Sequence, residues 1–224
     1  MTRLVTFGCS LTGGTGVRPD QTWPHKLAGL MSMKYENKGR PGASTKRIWW
    51  DIMNYDFQKS DIVVILWTHL DRWCIIKKEH SKKNDDWDVL GKAKLKEFFT
   101  KTKKISDVED FNVWYEKNNK QAYIYYKYFH DDHDMLTQYM MLVNHTHFYL
   151  KNKVRKIYHL RASEQEKSTP FNKIQFLPCD INSLRGKYPP ASDGWHPGEE
   201  CYIEFAKQIH EHISNSYVNF NKYL

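Results

Sequence analysis

One apolar run constrains the fold of this chain more than any other feature. This run is DIVVILW, from Asp61 to Trp67. After the aspartate, all six residues are apolar and no polar residue alternates with them. Such a run is typical of a strand in a parallel sheet, because helices cover both faces of the sheet and neither face carries polar side chains. The run therefore predicts a central strand in an α/β protein.

The rest of the chain alternates short apolar runs with segments of helical spacing. Further strands are predicted at 4–7, 34–37, 154–160 and, with a loop as the alternative, 174–177. Helices are predicted at about 22–31, through 49–53, at about 121–151 and from Pro197 onward. In the last helix, one apolar face is predicted from Tyr202, Phe205, Ala206, Ile209 and Ile213. This alternation predicts a three-layer α/β/α sandwich with a mostly parallel, flavodoxin-like sheet.

The length of 224 residues favours a single domain over two equal halves. The stretch at about 69–119 has few apolar residues, many charges and little clear period, so we interpret it as an insertion or a lid. The chain has no apolar run of about 18 residues, and its first residues resemble a strand rather than a leader. We therefore expect no membrane span and a cytoplasmic location.

Cysteine usage and charge restrict the other classes of protein. Cys9, Cys74, Cys179 and Cys201 lie far apart with no CxxC pair, which favours free thiols over a disulfide framework or a zinc site. The net charge of +8 makes nucleic acid a conceivable partner. However, the lysines at 77–120 are interspersed with acidic residues and no nucleic-acid motif accompanies them, which favours a solvated face. We expect no nucleic-acid partner.

Two short motifs combine the residue types of nucleophilic catalysis. The first strand ends in FGCSLTGG, which places the hydroxyl of Ser10 in a turn of small residues. Near the C-terminus, SDGWHPGEE places Asp193 three residues before His196. A serine hydroxyl becomes a good nucleophile when an imidazole takes its proton and a carboxylate orients that imidazole. Taken alone, Ser10 is a turn residue and His196 a surface or helix-start residue, so the hypothesis depends on their conjunction.

Parallel strands end at one edge of their sheet, where ligands of open α/β sheets bind. The loops after the first three predicted strands carry Ser10, Gly42, and the pair Thr68 and His69. All three loops are therefore expected to share one rim.

In this order, the motifs resemble those of the SGNH hydrolases, also called GDSL-type esterases. GCSLTGG is similar to the first block of the family, NKGRPG to the second, with Gly42 five residues after Asn37, and DGWHP to the last. The resemblance implies a serine esterase with Ser10 as nucleophile, His196 as base and Asp193 as its orienting carboxylate. It also implies an oxyanion hole that includes the N–H groups of Ser10 and Gly42. No metal or organic cofactor is implied, and the substrate class is a short-acyl ester, with carbohydrate O-acetyl groups as one candidate.

The chain departs from this family at two positions. Where the third block has an Asn, the sequence reads LWTHLDR, so a Thr68 hydroxyl or a His69 N–H would have to donate to the oxyanion. Cys9 replaces the Asp that precedes the nucleophile, and we interpret it as a small buried thiol rather than as a second nucleophile. Two alternatives to a hydrolase stay open: an acyltransferase with the same triad, and an inactive relative that binds a glycan.

Three further features have a bland interpretation beside a functional one. Trp67, Trp73 and Trp195 lie near the proposed site and either line a substrate pocket or pack in the core. HDDHD at 130–134 carries metal-type side chains, but a solvated turn is favoured and no metal site is predicted. GGTG at 13–16 lacks the residues of a phosphate loop, so we interpret it as a flexible wall of the pocket.

Overall fold

Four parallel strands form the sheet at the centre of the protein, in the order β2-β1-β3-β6. The computed structural model describes residues 2–70, 72–76, 87–91, 128, 131–162 and 174–220. The strands of these residues are β1 Arg3–Gly8, β2 Lys34–Gly39, β3 Ile62–Trp67, β4 Arg72–Ile76, β5 Trp87–Gly91 and β6 Lys156–Arg161. The order begins as in flavodoxin-like sheets, so the predicted fold class is confirmed.

Helices cover the sheet on both sides. They are α1 Ser10–Gly13, α2 Trp23–Leu30, α3 Thr45–Met53, α4 Asp132–Leu150, α5 Ile181–Arg185 and α6 Glu199–Phe220, with a 3-10 helix at Pro19–Gln21. Helix α2 packs against α6, and α3 packs against α4. The crossovers β1-α2-β2 and β2-α3-β3 run in opposite directions along the sheet, and right-handed crossovers therefore place α2 and α3 on opposite faces. The result is the predicted three-layer arrangement.

The buried strand that the sequence singles out lies at the centre of the core. Every residue of β3 is buried, since β1 and β6 flank it and helices cover both faces. The predicted apolar face of the last helix is confirmed as well. Its five residues are each 0 or 1% exposed: Tyr202, Phe205, Ala206, Ile209 and Ile213.

The structure refines three of the predicted elements. The last helix begins at Glu199 rather than at Pro197, because Pro197 pairs with Pro190 in an isolated antiparallel bridge. The segment at 174–177 is a loop that makes one parallel bridge, from Phe176 to His159, so the loop alternative holds. The predicted helix at 121–151 is described from Asp132, and the residues at 121–127 lie outside the described residues.

The predicted insertion contains one described element. β4 and β5 pair as an antiparallel ribbon, separate from the main sheet. Asp71 and the residues at 77–86 and 92–119 lie outside the described residues, and the role of the insertion as a lid stays a prediction. Within the part of the chain that the structure describes, no helix is long and apolar enough to cross a bilayer.

An ion pair between the partly exposed Arg3 and the buried Asp61 lies at the end of the sheet opposite the proposed rim. The Asp61 carboxylate is fully buried and accepts hydrogen bonds from Arg3 Nε at 2.8 Å, Arg3 Nη2 at 3.1 Å and the Gln58 N–H at 2.8 Å. Asp61 directly precedes β3 and Arg3 begins β1. The pair therefore fixes the two central strands to each other at their first residues.

Removing this carboxylate is expected to destabilise the protein strongly. Asp61→Ala leaves Arg3 Nε and the Gln58 N–H without an acceptor, although the guanidinium keeps its contacts to Glu36 and to the Asp56 carbonyl. Leaving buried donors unpaired in this way costs about 3 kcal/mol of unfolding free energy or more. Chemical denaturation measures the change. Asp20→Ala, which removes the exposed partner of Arg18, is the matched control and should change little. Equal effects of the two substitutions would contradict the role of Asp61.

Three buried or half-buried side chains form a hydrogen-bonded chain from β3 through β6 to α4. Trp67 Nε1 donates to His159 Nδ1 at 3.0 Å, so the proton of His159 lies on Nε2, which donates to His147 Nδ1 at 3.2 Å. Burial, and to a lesser extent the neighbouring His147, lower the pKa of His159 to about 3. The neutral imidazole is therefore the form that the fold holds.

Because of this histidine, the protein is expected to become less stable as the pH is lowered. Below the ordinary pKa of about 6.5, His159 takes up a proton in the unfolded chain but not in the folded one, so acid favours unfolding by about 1.4 kcal/mol per pH unit. The contribution is complete above pH 6.5 and is lost progressively toward pH 3. In His159→Gln, denaturant midpoints measured from pH 7 to pH 5 should fall less steeply than in the wild type. The exposed His133→Gln should keep the wild-type slope, and an unchanged slope in His159→Gln would refute the assignment.

Candidate active site

Ser10 lies in a tight turn directly after β1. It is the first residue of the short helix α1, and Cys9 precedes it as an N-cap with no side-chain hydrogen bond. The Thr12 and Gly13 N–H groups donate to the Cys9 carbonyl at 3.0 and 2.9 Å, which closes the turn. The Cys9 thiol is fully buried, as predicted. Among the described residues no backbone acceptor takes the Ser10 N–H, as is usual at the start of a helix, so this donor is available to a ligand.

The end of β2 packs against the Ser10 turn without side chains between them. A Cβ on Gly39 would lie 2.2 Å from the Gly13 nitrogen, so only glycine allows this approach. Asn37 fastens the contact, because its Nδ2 donates to the Thr12 carbonyl at 2.7 Å and its Oδ1 accepts from the Gly39 N–H at 2.9 Å. Asn37 and Gly39 of the second motif thus hold the end of β2 against the turn that carries Ser10.

Gly42 lies in the loop that continues from β2. The Arg40 N–H donates to the Gly8 carbonyl at 3.0 Å, which brings this loop beside the end of β1. Gly42 has φ 74°, a left-handed conformation that favours glycine. The next residues cap α3, where the Ser44 side chain accepts from the Arg47 N–H. The loop is therefore anchored on both sides of Gly42.

Thr68 and His69 follow β3 directly, on the other side of β1. Gly8 pairs with Leu66 in the parallel register, so the chain leaves β1 and β3 at the same edge of the sheet. Thr68 is fully buried, and its hydroxyl has no hydrogen-bond partner among the described residues. A buried hydroxyl without a partner is uncommon, and it is the type of donor that an oxyanion would satisfy. His69 is half-buried.

Asp193 and His196 form a hydrogen-bonded pair in the loop before α6. Asp193 Oδ2 and His196 Nδ1 are 2.5 Å apart, and Asp193 Oδ1 accepts from the Trp195 and His196 N–H groups, each at 2.9 Å. Because a carboxylate only accepts, the imidazole carries its proton on Nδ1 and presents the lone pair of Nε2. This is the tautomer of a base that receives a proton from a serine.

The surroundings keep the carboxylate of this pair charged. Partial burial raises the pKa of Asp193, but the hydrogen bonds from the His196 and Trp195 N–H groups and from the imidazole outweigh it. The pKa of Asp193 therefore lies below its ordinary value. At neutral pH the carboxylate stabilises a positive charge on the adjacent imidazole.

Hydrogen bonds within the loop from Pro190 to Pro197, and one from α5, hold this loop in place. The Ala191 N–H donates to the His196 carbonyl at 2.8 Å, beside the bridge between the two prolines. Arg185 of α5 donates to the Trp195 carbonyl. The Asp193–His196 turn therefore sits in a braced loop.

The segment after α1 joins the Ser10 turn to this loop. The Ser10 carbonyl accepts from the Gly14 and Thr15 N–H groups at 2.9 and 3.2 Å. Gly16, the residue after Thr15, accepts with its carbonyl from the Ser192 N–H at 3.2 Å. The segment is therefore held by hydrogen bonds at both ends, and its role as a flexible wall of the pocket stays a prediction. Among the described residues, however, no hydrogen bond joins the Ser10 hydroxyl to His196.

The three tryptophans proposed for a pocket differ in position. Trp67 is fully buried and is hydrogen-bonded to His159, with an angle of 5° between the two ring planes, so it belongs to the core and cannot stack on a substrate. Trp195 is 45% exposed beside His196 and is accessible to a ligand. The side chain of Trp73 lies outside the described residues.

The acidic and histidine-rich motif at 130–134 is partly described. The Asp131 side chain accepts from the Asp134 N–H and so caps α4, while His130 lies outside the described residues. Within the described ranges, no group of three or more His, Cys, Asp or Glu side chains is arranged to hold a metal ion.

Sequence reasoning missed the roles of Gly16 and Ser192. The signal for Gly16 was present, since a glycine in GGTG can mark a close approach of two backbones as well as a flexible loop. Ser192 directly precedes Asp193 and gave no signal of its own, because its partner lies 176 positions away.

The chain is similar to known proteins in its structure but not in its sequence. No family model matches the chain, and no curated protein matches it. A lipolytic protein of the G-D-S-L family from Veillonella parvula DSM 2008 matches with a TM-score of 0.50 at 10% identity, over 94% of this chain and 97% of that one.

Two other solved structures have lower scores. They are a putative lipolytic protein of the G-D-S-L family from Desulfitobacterium hafniense DCB-2, with 11% identity, 93% and 98% coverage and a TM-score of 0.49, and Axe2, an acetylxylan esterase from Geobacillus stearothermophilus, with 16% identity, 94% and 93% coverage and a TM-score of 0.46. The likeness to the Veillonella protein extends over nearly the whole of both chains. The chain therefore has the α/β fold of the SGNH hydrolases, the fold of the G-D-S-L family of lipolytic proteins.

Proposed function

We propose that this protein is a serine ester hydrolase that acts through a Ser10 acyl-enzyme on short-acyl esters. The observation that carries the proposal is the Asp193–His196 pair, with 2.5 Å between Oδ2 and Nδ1, in a loop that is hydrogen-bonded to the segment following Ser10. A charged carboxylate on Nδ1 and a free Nε2 are the two requirements for an imidazole that activates a serine. No metal or organic cofactor takes part in this proposal.

The chemistry proceeds in two halves. The Ser10 oxygen attacks the acyl carbonyl carbon while its proton passes to His196 Nε2, and the carbonyl oxygen becomes an oxyanion. The tetrahedral intermediate then collapses, and the departing alkoxide takes the proton from His196. Water attacks the acyl-enzyme in the second half by the same route, which releases the acid and restores Ser10.

The oxyanion would be held at the rim formed by the ends of β1, β2 and β3. Its proposed donors are the N–H groups of Ser10 and Gly42 and the hydroxyl of Thr68, with the His69 N–H as the alternative to that hydroxyl. Each donor aimed at such a charge contributes about 3–4 kcal/mol to the transition state. The unpartnered hydroxyl of Thr68 favours it over His69 as the substitute for the usual Asn.

We further propose a carbohydrate O-acetyl ester as the first substrate class to screen. The supporting observation is Trp195, because an exposed indole beside the base offers a flat apolar face for a sugar ring. Trp195→Ala should then raise KM for an acetylated oligosaccharide and leave p-nitrophenyl acetate hydrolysis nearly unchanged. Equal effects on both substrates would exclude a sugar-specific role.

A fluorophosphonate tests the nucleophile without knowledge of the substrate, because it reacts irreversibly with activated serines. Intact-mass and peptide mapping should find one adduct on the peptide that contains Ser10, and none in His196→Ala. Absence of the adduct in a folded wild-type protein would refute the hydrolase.

The second candidate function is a glycan-binding relative without turnover. The missing hydrogen bond between Ser10 and His196 and the Thr in place of the third-block Asn favour it. Calorimetric titration with an acetylated oligosaccharide, together with product analysis, separates binding from hydrolysis. If an acyl-enzyme forms, competition between water and an added alcohol distinguishes a hydrolase from an acyltransferase.

A further inference from the structure

A junction of two small residues connects the segment after α1 to the loop of Asp193 and His196. The Gly16 carbonyl accepts from the Ser192 N–H at 3.2 Å and from the Ser192 hydroxyl at 2.8 Å. We propose, on the basis of the function proposed above, that Gly16 and Ser192 are positioning residues. They hold the Asp193 carboxylate against the His196 imidazole and fix this pair relative to Ser10.

The carboxylate fits because position 16 has no side chain. A Cβ on Gly16 would lie 3.1 Å from both Cγ and Oδ2 of Asp193 and 2.8 Å from the Ala191 Cβ. Oδ2 is the oxygen bonded to His196 Nδ1. A methyl group at this position therefore displaces the atom on which the orientation of the imidazole depends.

The backbone of Gly16 adds a second requirement for glycine. Its φ is 84°, in the left-handed region that other residues avoid. This conformation turns the chain after Thr15 and directs the Gly16 carbonyl toward Ser192. Both the shape and the direction of the junction thus depend on this one residue.

The junction also connects the pair to the turn that carries the nucleophile. The Thr15 N–H donates to the Ser10 carbonyl at 3.2 Å, and the adjacent Gly16 carbonyl holds Ser192. Asp193 follows Ser192 directly. Two short hydrogen-bonded steps therefore connect Ser10 to the orienting carboxylate, and loss of either step lets the Asp193 loop move.

Ser192 allows a test that leaves the core intact. The residue is exposed, so Ser192→Ala removes the hydroxyl bond to Gly16 without creating a cavity, whereas Ser192→Thr keeps a hydroxyl. Gly16→Ala adds the displacing methyl group. Gly29→Ala is its matched control, because a Cβ there meets no atom within 4 Å.

Two readouts are measured on all four variants and the wild type. With p-nitrophenyl acetate, Gly16→Ala should lower kcat about 10- to 100-fold with KM within about 2-fold, since a misplacement of about 1 Å costs about 100-fold in rate. Ser192→Ala should lower kcat about 3- to 10-fold, and Ser192→Thr and Gly29→Ala should retain it. Carboxyl ¹³C NMR titration should show that the pKa of Asp193 rises in Gly16→Ala and Ser192→Ala, because the carboxylate moves away from its N–H donors.

The outcomes separate this proposal from the proposed function. If Ser192→Ala and Ser192→Thr both keep the wild-type kcat and the wild-type Asp193 titration, the junction has no positioning role. If Gly16→Ala fails to fold, the Ser192 pair decides alone. If the wild type neither hydrolyses the ester nor forms the fluorophosphonate adduct, the hydrolase is refuted, and the Asp193 titrations still decide whether the junction holds the carboxylate.

Discussion

Replacing Ser10 by Ala is expected to lower the hydrolysis of p-nitrophenyl acetate at least about 100-fold. In the proposed mechanism, the variant loses the oxygen that forms the acyl-enzyme, while the proposed N–H donors at the rim still polarise the ester and leave a residual rate. Stopped-flow or steady-state assays of kcat/KM measure the loss. Alanine keeps the Cβ of serine and removes only the hydroxyl, so the melting temperature should change little.

Ser183→Ala is the matched control for this substitution. Ser183 is an exposed serine in α5 whose hydroxyl donates to the Asp180 carbonyl, outside the proposed site. It should keep wild-type turnover and wild-type labelling by a fluorophosphonate. If Ser10→Ala also keeps them, Ser10 is a turn residue and the hydrolase proposal is wrong.

Replacing His196 by Ala is the second change with a large expected effect, again at least about 100-fold in kcat/KM. In the proposed mechanism, the variant loses the imidazole that takes the proton of Ser10, and the Asp193 carboxylate loses the partner that lies 2.5 Å from it. The double variant Ser10→Ala/His196→Ala should have about the same kcat/KM as the slower single variant, because the two residues act as a unit. Its loss should be much smaller than the product of the two single losses.

The exposed His133→Ala serves as the control, since it removes an imidazole of α4 that has no place in the proposed chemistry. Retained labelling of Ser10 in His196→Ala would show that another group activates the serine. Additive losses in the double variant would show that Ser10 and His196 act separately. Either result would remove His196 from the role of base.

Much of the fold could be predicted because local patterns determine it. The run at 61–67 is typical of a strand covered on both faces, and every residue of β3 is buried as predicted. Helix α6 could be predicted from its apolar spacing, but its first residue could not. Pro197 is compatible with a helix start, but it pairs with Pro190 across the loop and lies outside the helix.

The candidate site was predictable in part for a different reason. Asp193 and His196 lie within one turn, so their spacing in the sequence already predicts their contact. Trp67 shows the opposite case. Its nearness in sequence to Thr68 suggested a pocket residue, whereas the alternation of a strand directs its indole into the core against His159.

By itself, the sequence determined the α/β class, the central strand and the pairing of Asp193 with His196, because these depend on contacts between near neighbours in the chain. The tertiary structure decided the rest of the site. It brings Gly16 onto Ser192 and Asp193, removes Trp67 from the pocket, and leaves the Thr68 hydroxyl buried without a partner among the described residues. Such contacts join segments far apart in sequence, and no local pattern of residues records which of them will meet.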